Sequence, residues 1–467
     1  MSNEKKREGG SMDMTEGSPY RLIFLFSIPL LIGNILQQLY NMVDSIIVGN
    51  IVGAKALAAV GTGFPVIFML SSLFMGIGTG ATIMVSQYFG AKDYEKLQNT
   101  VSTIYKAMLI GIVPLSVIGV VLSRPLLILM QVPDDGTLEM ATTYMIVVFI
   151  GMIGMMGYNV NAGILQGLGD SRTSLIFLAI ATVINIVLDL LFTAGIRMGV
   201  FGVALATIIA QIISWLFGVF YIQKKYSIIK INFRHLKFDR VLFKQALKLG
   251  IPSGIQQMCF SIGIMVMQAL VNSYGSTFMA GFNGANKIDS FAFMPVQSFS
   301  IAVTTYTGQN IGAHRLDRVK HGTRAALVLS VVTCLVIGGI LYPLSAWFMR
   351  MFSQDADVIE SGVWYLQSVL PFYVLLAAGF IYSSTLRGAG EMMVPLISSL
   401  IGLWIVRVPA AYLLAYFFGK EYIYYSYGIG WVFGFIIPWV AYMRGKWKDK
   451  CIVGNGPSPE DEAIAQS

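Results

Sequence analysis

Two aspartates stand in stretches otherwise apolar enough to cross a bilayer, and they are the first places where this chain could do chemistry. Asp44 follows Gln37 and Asn41 at i, i+4, i+7, and Asp189 closes a similar row with Thr182 and Asn185, so each set shares one face of a helix. A charged carboxylate at the bilayer centre costs at least about 2.5 to 3.5 kcal/mol, so an intramembrane acid is first read as handling an ion or a substrate. Polar rows turned to lipid would be costly, and the two rows are expected to face each other or a wet cavity. Carboxylates beside neutral oxygens suit two chemistries: they can bind Na+, a hard cation, or share one proton, because like charges close together resist double ionisation. Residue types leave both open. A simpler role is interhelical hydrogen bonding, worth only about 0.6 kcal/mol on average, and it fits Thr182 better than the acids. A third acid, Asp289, lies near Asn283, Asn286 and Lys287, and Arg407 stands in a later apolar run. Asp289 either pairs structurally with Lys287 or Arg407 or joins Gln37 and Asn41 in lining a substrate cavity. Pro29, fifteen residues before Asp44, removes a helix hydrogen bond and permits a bend.

The elements that must hold these groups are membrane helices. Of 467 residues 56% are hydrophobic and 12% charged, with mean hydropathy +0.70, against roughly 45 to 50% and 25% in soluble domains. A bilayer core needs about 20 helical residues, and twelve runs qualify, near 20–49, 54–86, 100–123, 138–160, 171–196, 200–222, 246–274, 278–309, 325–349, 358–385, 392–418 and 422–443. They are continuously apolar, whereas barrel strands would alternate. With both termini on one side, that side carries 25 of the 32 Lys and Arg, the other carries five, and Lys287 and Arg407 fall within spans. This bias places both termini in the cytoplasm and accounts for the +8 charge without nucleic acid. Residues 1–19 lack a signal-peptide pattern, so the first run is expected to be retained. The three cysteines do not suggest a disulfide framework, and His235, His314 and His321 lack metal-ligand spacing. No Walker loop or polar stretch long enough for an ATPase domain is present.

The two halves repeat each other. Ile28-Pro29 matches Ile251-Pro252, Gln87-Tyr88-Phe89-Gly90-Ala91 matches Gln309-Asn310-Ile311-Gly312-Ala313, and Leu165-Gln166-Gly167-Leu168-Gly169-Asp170 matches Leu386-Arg387-Gly388-Ala389-Gly390-Glu391. An even number of spans per half gives both the same orientation, so the expected fold is all-α: twelve transmembrane helices in two six-helix bundles related by a pseudo-two-fold along the membrane normal. The expected divisions are a tail (1–19), an N-lobe (20–222), a basic cytoplasmic linker (223–245) lying on the headgroups, a C-lobe (246–445), and a loose tail (446–467).

With Tyr40-Asn41-Met42-Val43-Asp44 and Asn185-Ile186-Val187-Leu188-Asp189 added to these repeats, the chain resembles the multidrug and toxic compound extrusion (MATE) family across residues 20 to 445. The resemblance implies that Asp44 is the central coupling acid and that Asn159, Asn185, Asp189 and Thr207 form a cluster with it in the N-lobe. Na+ would then sit at Asp44, Asn185, Asp189 and Thr207. Span 7 offers Gln256, Gln257, Cys259 and Ser261 where one branch has a carboxylate, so the similarity is closer to the branch named for a DNA-damage-inducible protein. The implied function is antiport: export of amphipathic, mostly cationic organic compounds in exchange for H+ or Na+, without a cofactor or catalysis, by a monomer in the bacterial inner membrane. Its partners are those substrates and membrane lipids, not nucleic acid. Two alternatives are a lipid-linked oligosaccharide flippase of the wider superfamily and, from Gly167-Leu168-Gly169-Asp170, an intramembrane aspartyl protease. A duplicated loop speaks for duplicated architecture instead of one active site, and a passive channel would not need two bundles with buried acids.

Overall fold

The structure is a computed structural model and describes residues 11–453; most of the expected loose C-terminal tail lies outside the described residues. Among the described residues ten helical stretches are long and apolar enough to cross a membrane: Pro19–Val52 (span 1), Ala54–Gly90 (span 2), Tyr94–Leu129 (span 3), Ser171–Gly195 (span 5), Gly199–Lys225 (span 6), Arg240–Asn272 (span 7), Leu316–Arg350 (span 9), Ala356–Gly388 (span 10), Met393–Phe418 (span 11) and Lys420–Arg444 (span 12). Thr137–Ile150 and Met152–Gly167, bent by 53°, together form span 4. Ser276–Gly312 (span 8) completes the twelve. Its lower hydropathy reflects Asn283, Asn286, Lys287, Asp289, Gln309 and Asn310 on one helix. The all-α architecture of twelve membrane helices in two bundles is thus found.

Contacts divide the chain into two compact units, one built on Ile32–Gly254 and the other on Met14–Leu31 with Ile255–Ile452. The divisions fall inside spans 1 and 7, shortly after Pro29 and Pro252. Both helices run through their prolines without a break.

The duplicated motifs are explained by backbone geometry. Lys92 (φ 58°) and His314 (φ 55°) take the left-handed conformation in equivalent turns after spans 2 and 8. Gly169 (φ 81°) and Gly390 (φ 97°) do so after spans 4 and 10, and a Cβ on Gly169 would lie 2.3 Å from the Met12 carbonyl oxygen. The acid that follows each glycine caps the next helix: Asp170 accepts from the Thr173 N–H at 3.0 Å, and Glu391 accepts from the Met393 N–H at 3.0 Å, supplying acceptors to otherwise orphan donors. Asp170 also accepts from Lys225 (2.7 Å) and the Tyr226 hydroxyl (2.6 Å), anchoring the span 4–5 loop to the end of span 6. The carboxylate that suggested a protease is therefore committed to a cap and an ion pair.

Small residues set the closest helix approach in the first unit. A Cβ on Gly76 of span 2 would lie 2.3 Å from the Gly250 carbonyl oxygen and 2.4 Å from the Gly254 nitrogen in span 7. Backbone cannot yield as a side chain can. We expect Gly76→Ala to destabilise the protein by about 2 kcal/mol or more through overpacking. Gly78→Ala, where a Cβ meets nothing within 4 Å, should be neutral or stabilising through helix propensity. Thermal unfolding of both purified variants in detergent checks the contrast, and equal melting would contradict it.

Candidate functional site

Spans 1 and 5 both loosen into a π-helical turn just after their acid, Val48–Val52 after Asp44 and Leu191–Gly195 after Asp189. Wide turns of this kind are rare and recur at functional positions. Here they follow the place where the two polar rows meet. The carboxyl groups of Asp44 and Asp189 are close enough to act on each other. Asp189 is fully buried and Asp44 half-buried. Among the described residues, no protein donor reaches Asp44 Oδ1 or Asp189 Oδ1. Two acceptors placed so close attract each other only when one proton sits between them.

The surrounding groups favour that reading. With its amide oriented to satisfy both ends, Asn185 donates from Nδ2 to Asp189 Oδ2 at 2.7 Å, and its oxygen accepts from the Thr207 N–H at 3.2 Å. In that orientation the NH2 of Asn185, not its carbonyl, faces Asp189. The Thr207 hydroxyl donates to the Val203 carbonyl at 3.1 Å and meets the Tyr40 side chain. Gln37, Thr182, Asn185 and Thr207 line one cavity with Tyr40 and Tyr158. Its volume is about 40 Å³, enough for a few water molecules or a small ion. Drug-sized ligands need roughly 300 Å³ or more, so no drug fits there in this conformation.

The two rows expected to face each other therefore meet at their acids, and Gln37, Thr182, Asn185 and Thr207 gather around one cavity. Asn41 is exposed and accepts from Gln37 at 3.4 Å. Asn159 gives its amide to the Met155 carbonyl at 2.7 Å, one turn earlier in its own helix. Tyr40 was not singled out from sequence, although it stands three residues after Gln37 and four before Asp44, on their face of the helix.

Asp289 lies in the second unit. It accepts from the Tyr373 hydroxyl and contacts Tyr365. Arg407, buried in the π-helical stretch Ile401–Arg407, acts on it electrostatically and stacks over Tyr427 with Cζ 3.4 Å from the ring centroid, a cation–π contact. Of the two partners considered for Asp289, Lys287 is excluded: it is exposed and lies 5.9 Å over the Phe352 ring. Three tyrosines on span 10 or 12 help to hold this cluster, and sequence spacing alone gave no sign of them. Tyr424 and Tyr427 belong to the same unit. Both are buried, Tyr424 stacking on Phe278 and Phe282.

Comparison with known proteins agrees with the internal repeat. The family model described as MatE matches twice, over residues 29–191 and 252–413. The chain belongs to the MatE family. Among its relatives is the probable multidrug resistance protein YpnP of Bacillus subtilis (strain 168), 33% identical over 93% of this chain and 97% of that protein. A crystal structure of MATE in the bent conformation matches with TM-score 0.87 at 25% identity, covering 94% of this chain and 98% of that one. A superfamily transporter from Pyrococcus furiosus Vc1, described as having a binding pocket of reversed polarity that suggests a different function, matches with TM-score 0.86 at 26% identity, over 92% and 97% of the two chains.

A proton shared by Asp44 and Asp189 would make them a single titrating unit. We expect purified wild-type protein to release protons when it binds a lipophilic organic cation, and Asp44→Asn and Asp189→Asn each to abolish the release. The double variant should be no worse than either single one, a non-additivity diagnostic of coupled groups. Calorimetry in buffers of different ionisation enthalpy measures the release, and additive losses would show two independent sites.

Proposed function

We propose that this MatE-family protein is a secondary antiporter that exports amphipathic, mostly cationic organic compounds in exchange for protons, with Asp44 and Asp189 as the coupling pair. The observation that carries the reading is the pairing of these two carboxyl groups, one buried and one half-buried. Loading the pair with a proton weakens its attraction for an organic cation, and losing the proton strengthens it. An ion drives transport only when it binds two states differently, and this arrangement supplies the difference in charge. The name of the YpnP relative supports multidrug export as the physiological role.

Na+ is the competing coupling ion. Asp44, Asp189, Asn185 and Thr207 contain enough oxygen for a hard cation, but a bound cation would need the Asn185 carbonyl toward the acids, and the orientation that satisfies both ends of that amide turns the NH2 there. That arrangement suits a carboxyl-bound proton. A flippase handling an anionic lipid-linked sugar would be poorly served by two acids at its centre. Exchange of one proton for one monovalent cation is electroneutral and draws only on the pH gradient, about 1.4 kcal/mol per unit. A second proton would add the membrane potential, about 2.3 kcal/mol per charge per 100 mV.

In vesicles with an imposed pH gradient, wild-type protein should accumulate a fluorescent organic cation and a protonophore should stop it. Asp44→Asn should reduce uphill transport to background while inserting normally, and Asp289→Asn should retain most of it. Uphill transport by Asp44→Asn at the wild-type rate would overturn the coupling assignment, and loss of transport to a sodium ionophore alone would replace H+ by Na+.

The charge bias supports a bacterial inner-membrane orientation with both termini in the cytoplasm. In intact cells an impermeant maleimide should label Gly136→Cys, in the span 3–4 connection, and spare His235→Cys, in the linker. The opposite pattern would invert the orientation.

A further inference from the structure

The segment joining spans 6 and 7 is built as a basic surface on a fixed frame. Residues 224–248 carry eight Lys or Arg and one acid, Asp239. That acid is occupied, accepting from the Val241 and Leu242 N–H groups at 2.8 and 3.1 Å to cap span 7. Of the basic groups, Lys225 is paired with Asp170. Lys224, Lys230, Arg234, Lys237 and Lys248 are exposed, and among the described residues no acidic side chain pairs with any of them.

The backbone beneath them is held by span 3. Gln98 exchanges two hydrogen bonds of 2.7 Å with the Lys230 N–H and carbonyl. Ser102 donates to the Lys237 carbonyl at 3.1 Å, Lys106 donates to the Leu236 carbonyl at 3.3 Å, and the Asp239 N–H donates to Thr103 at 3.1 Å. Tyr226, Ile229 and Ile231 are buried on the inner side, and Phe233 meets the rings of Tyr105 and Trp215 edge-on at 5.9 and 6.0 Å. An ordinary charged loop serving only to fix topology needs no such frame, because the charge bias acts whatever the loop's conformation. Here the frame holds ammonium and guanidinium groups outward, with Phe238 exposed beside them. A water-facing phenyl ring is unfavourable, whereas aromatic rings are stabilised at the headgroup level. The segment enters membrane helices at both ends, so its charges lie close to the hydrocarbon boundary.

We propose that this surface, centred on Lys230, Arg234, Lys237 and Phe238, is a docking site for anionic phospholipid headgroups. The chemistry is phosphate bound by several cations, strengthened by an apolar ring that enters the interface, and it falls off with salt because the groups are exposed. The inference does not depend on which ion drives transport.

The test uses the purified full-length chain in detergent micelles doped with phosphatidylglycerol or phosphatidylcholine, read by thermal unfolding. At low salt, phosphatidylglycerol should raise the wild-type Tm by several degrees over phosphatidylcholine, and high salt should remove the difference. In Lys230→Gln/Arg234→Gln/Lys237→Gln the half-effective phosphatidylglycerol concentration should rise about tenfold or more, while Lys230→Arg/Lys237→Arg keeps the wild-type response. An equal phosphatidylglycerol effect in the neutralised variant places the lipid elsewhere and overturns the proposal, as does loss of the response in the charge-retaining variant. Stabilisation by inorganic phosphate alone, to the same extent as by the lipid, would make this a free-anion site and also overturn it. Should the triple variant melt early in phosphatidylcholine, single Arg234→Gln and Phe238→Ser variants carry the same comparison, and an unchanged lipid response in both rejects the site.

Discussion

Bringing two acids together inside an apolar medium is the constraint around which the first unit is arranged. Each carboxylate alone would be expensive there, and two charged ones side by side more so. The contact of Asp44 with Asp189 lowers that cost only if a proton is shared, and the neighbouring groups cooperate with that solution. Asn185 presents donors, Thr207 fixes Asn185 through its backbone N–H, and Tyr40 meets Thr207. The apolar wall formed by Leu178, Ala181 and Ala210 keeps the cavity small. A loaded site differs from an unloaded one by a whole charge, which is the kind of difference that can bias a transporter between states.

The second unit meets the same difficulty by another route. Its acid is not matched with an acid but accepts from the Tyr373 hydroxyl and lies near Tyr365 and a buried arginine. Arg407 occupies a π-helical stretch in span 11, and its guanidinium is held flat against an aromatic ring. Duplication thus preserved turns, caps and helix order while the buried polar chemistry diverged. The preserved features are those that every copy of the fold needs. A left-handed residue ends span 2 or 8, and a glycine followed by an acid ends span 4 or 10 and starts the next helix.

Most of the fold was legible from sequence because membrane helices must satisfy their backbone internally, so each appears as one long apolar run. Span 8 was recognisable despite its polar residues because the run near 278–309 stays apolar between them. The meeting of Asp44 with Asp189 was also legible, since polar rows on two greasy helices have few low-energy places to go. Less legible was what depends on three-dimensional neighbours. Asn159 has the right chemistry but bonds to its own helix, an option open to any amide in a helix. Tyr365, Tyr373 and Tyr427 were hidden because an aromatic residue in an apolar span is equally compatible with packing against other helices or against lipid. The division of spans 1 and 7 shortly after their prolines is a property of contacts that hydropathy does not record.

The Asp289–Arg407 neighbourhood has an electrical consequence. An acid and a guanidinium held near each other form a dipole with little net charge, so a displacement of their whole cluster through the membrane field does little electrical work. The acid pair of the first unit lacks a buried cation of this kind in the contacts described above, and its charge changes by one with each proton bound or lost. Apart from the charge that the substrate itself carries, any voltage dependence of the transport cycle should then originate in the loading of Asp44 and Asp189, at about 2.3 kcal/mol per elementary charge for a full traverse of 100 mV and proportionally less for a partial one. The fraction of the field between the bulk solution and that pair becomes a measurable coordinate of the site: its electrical depth.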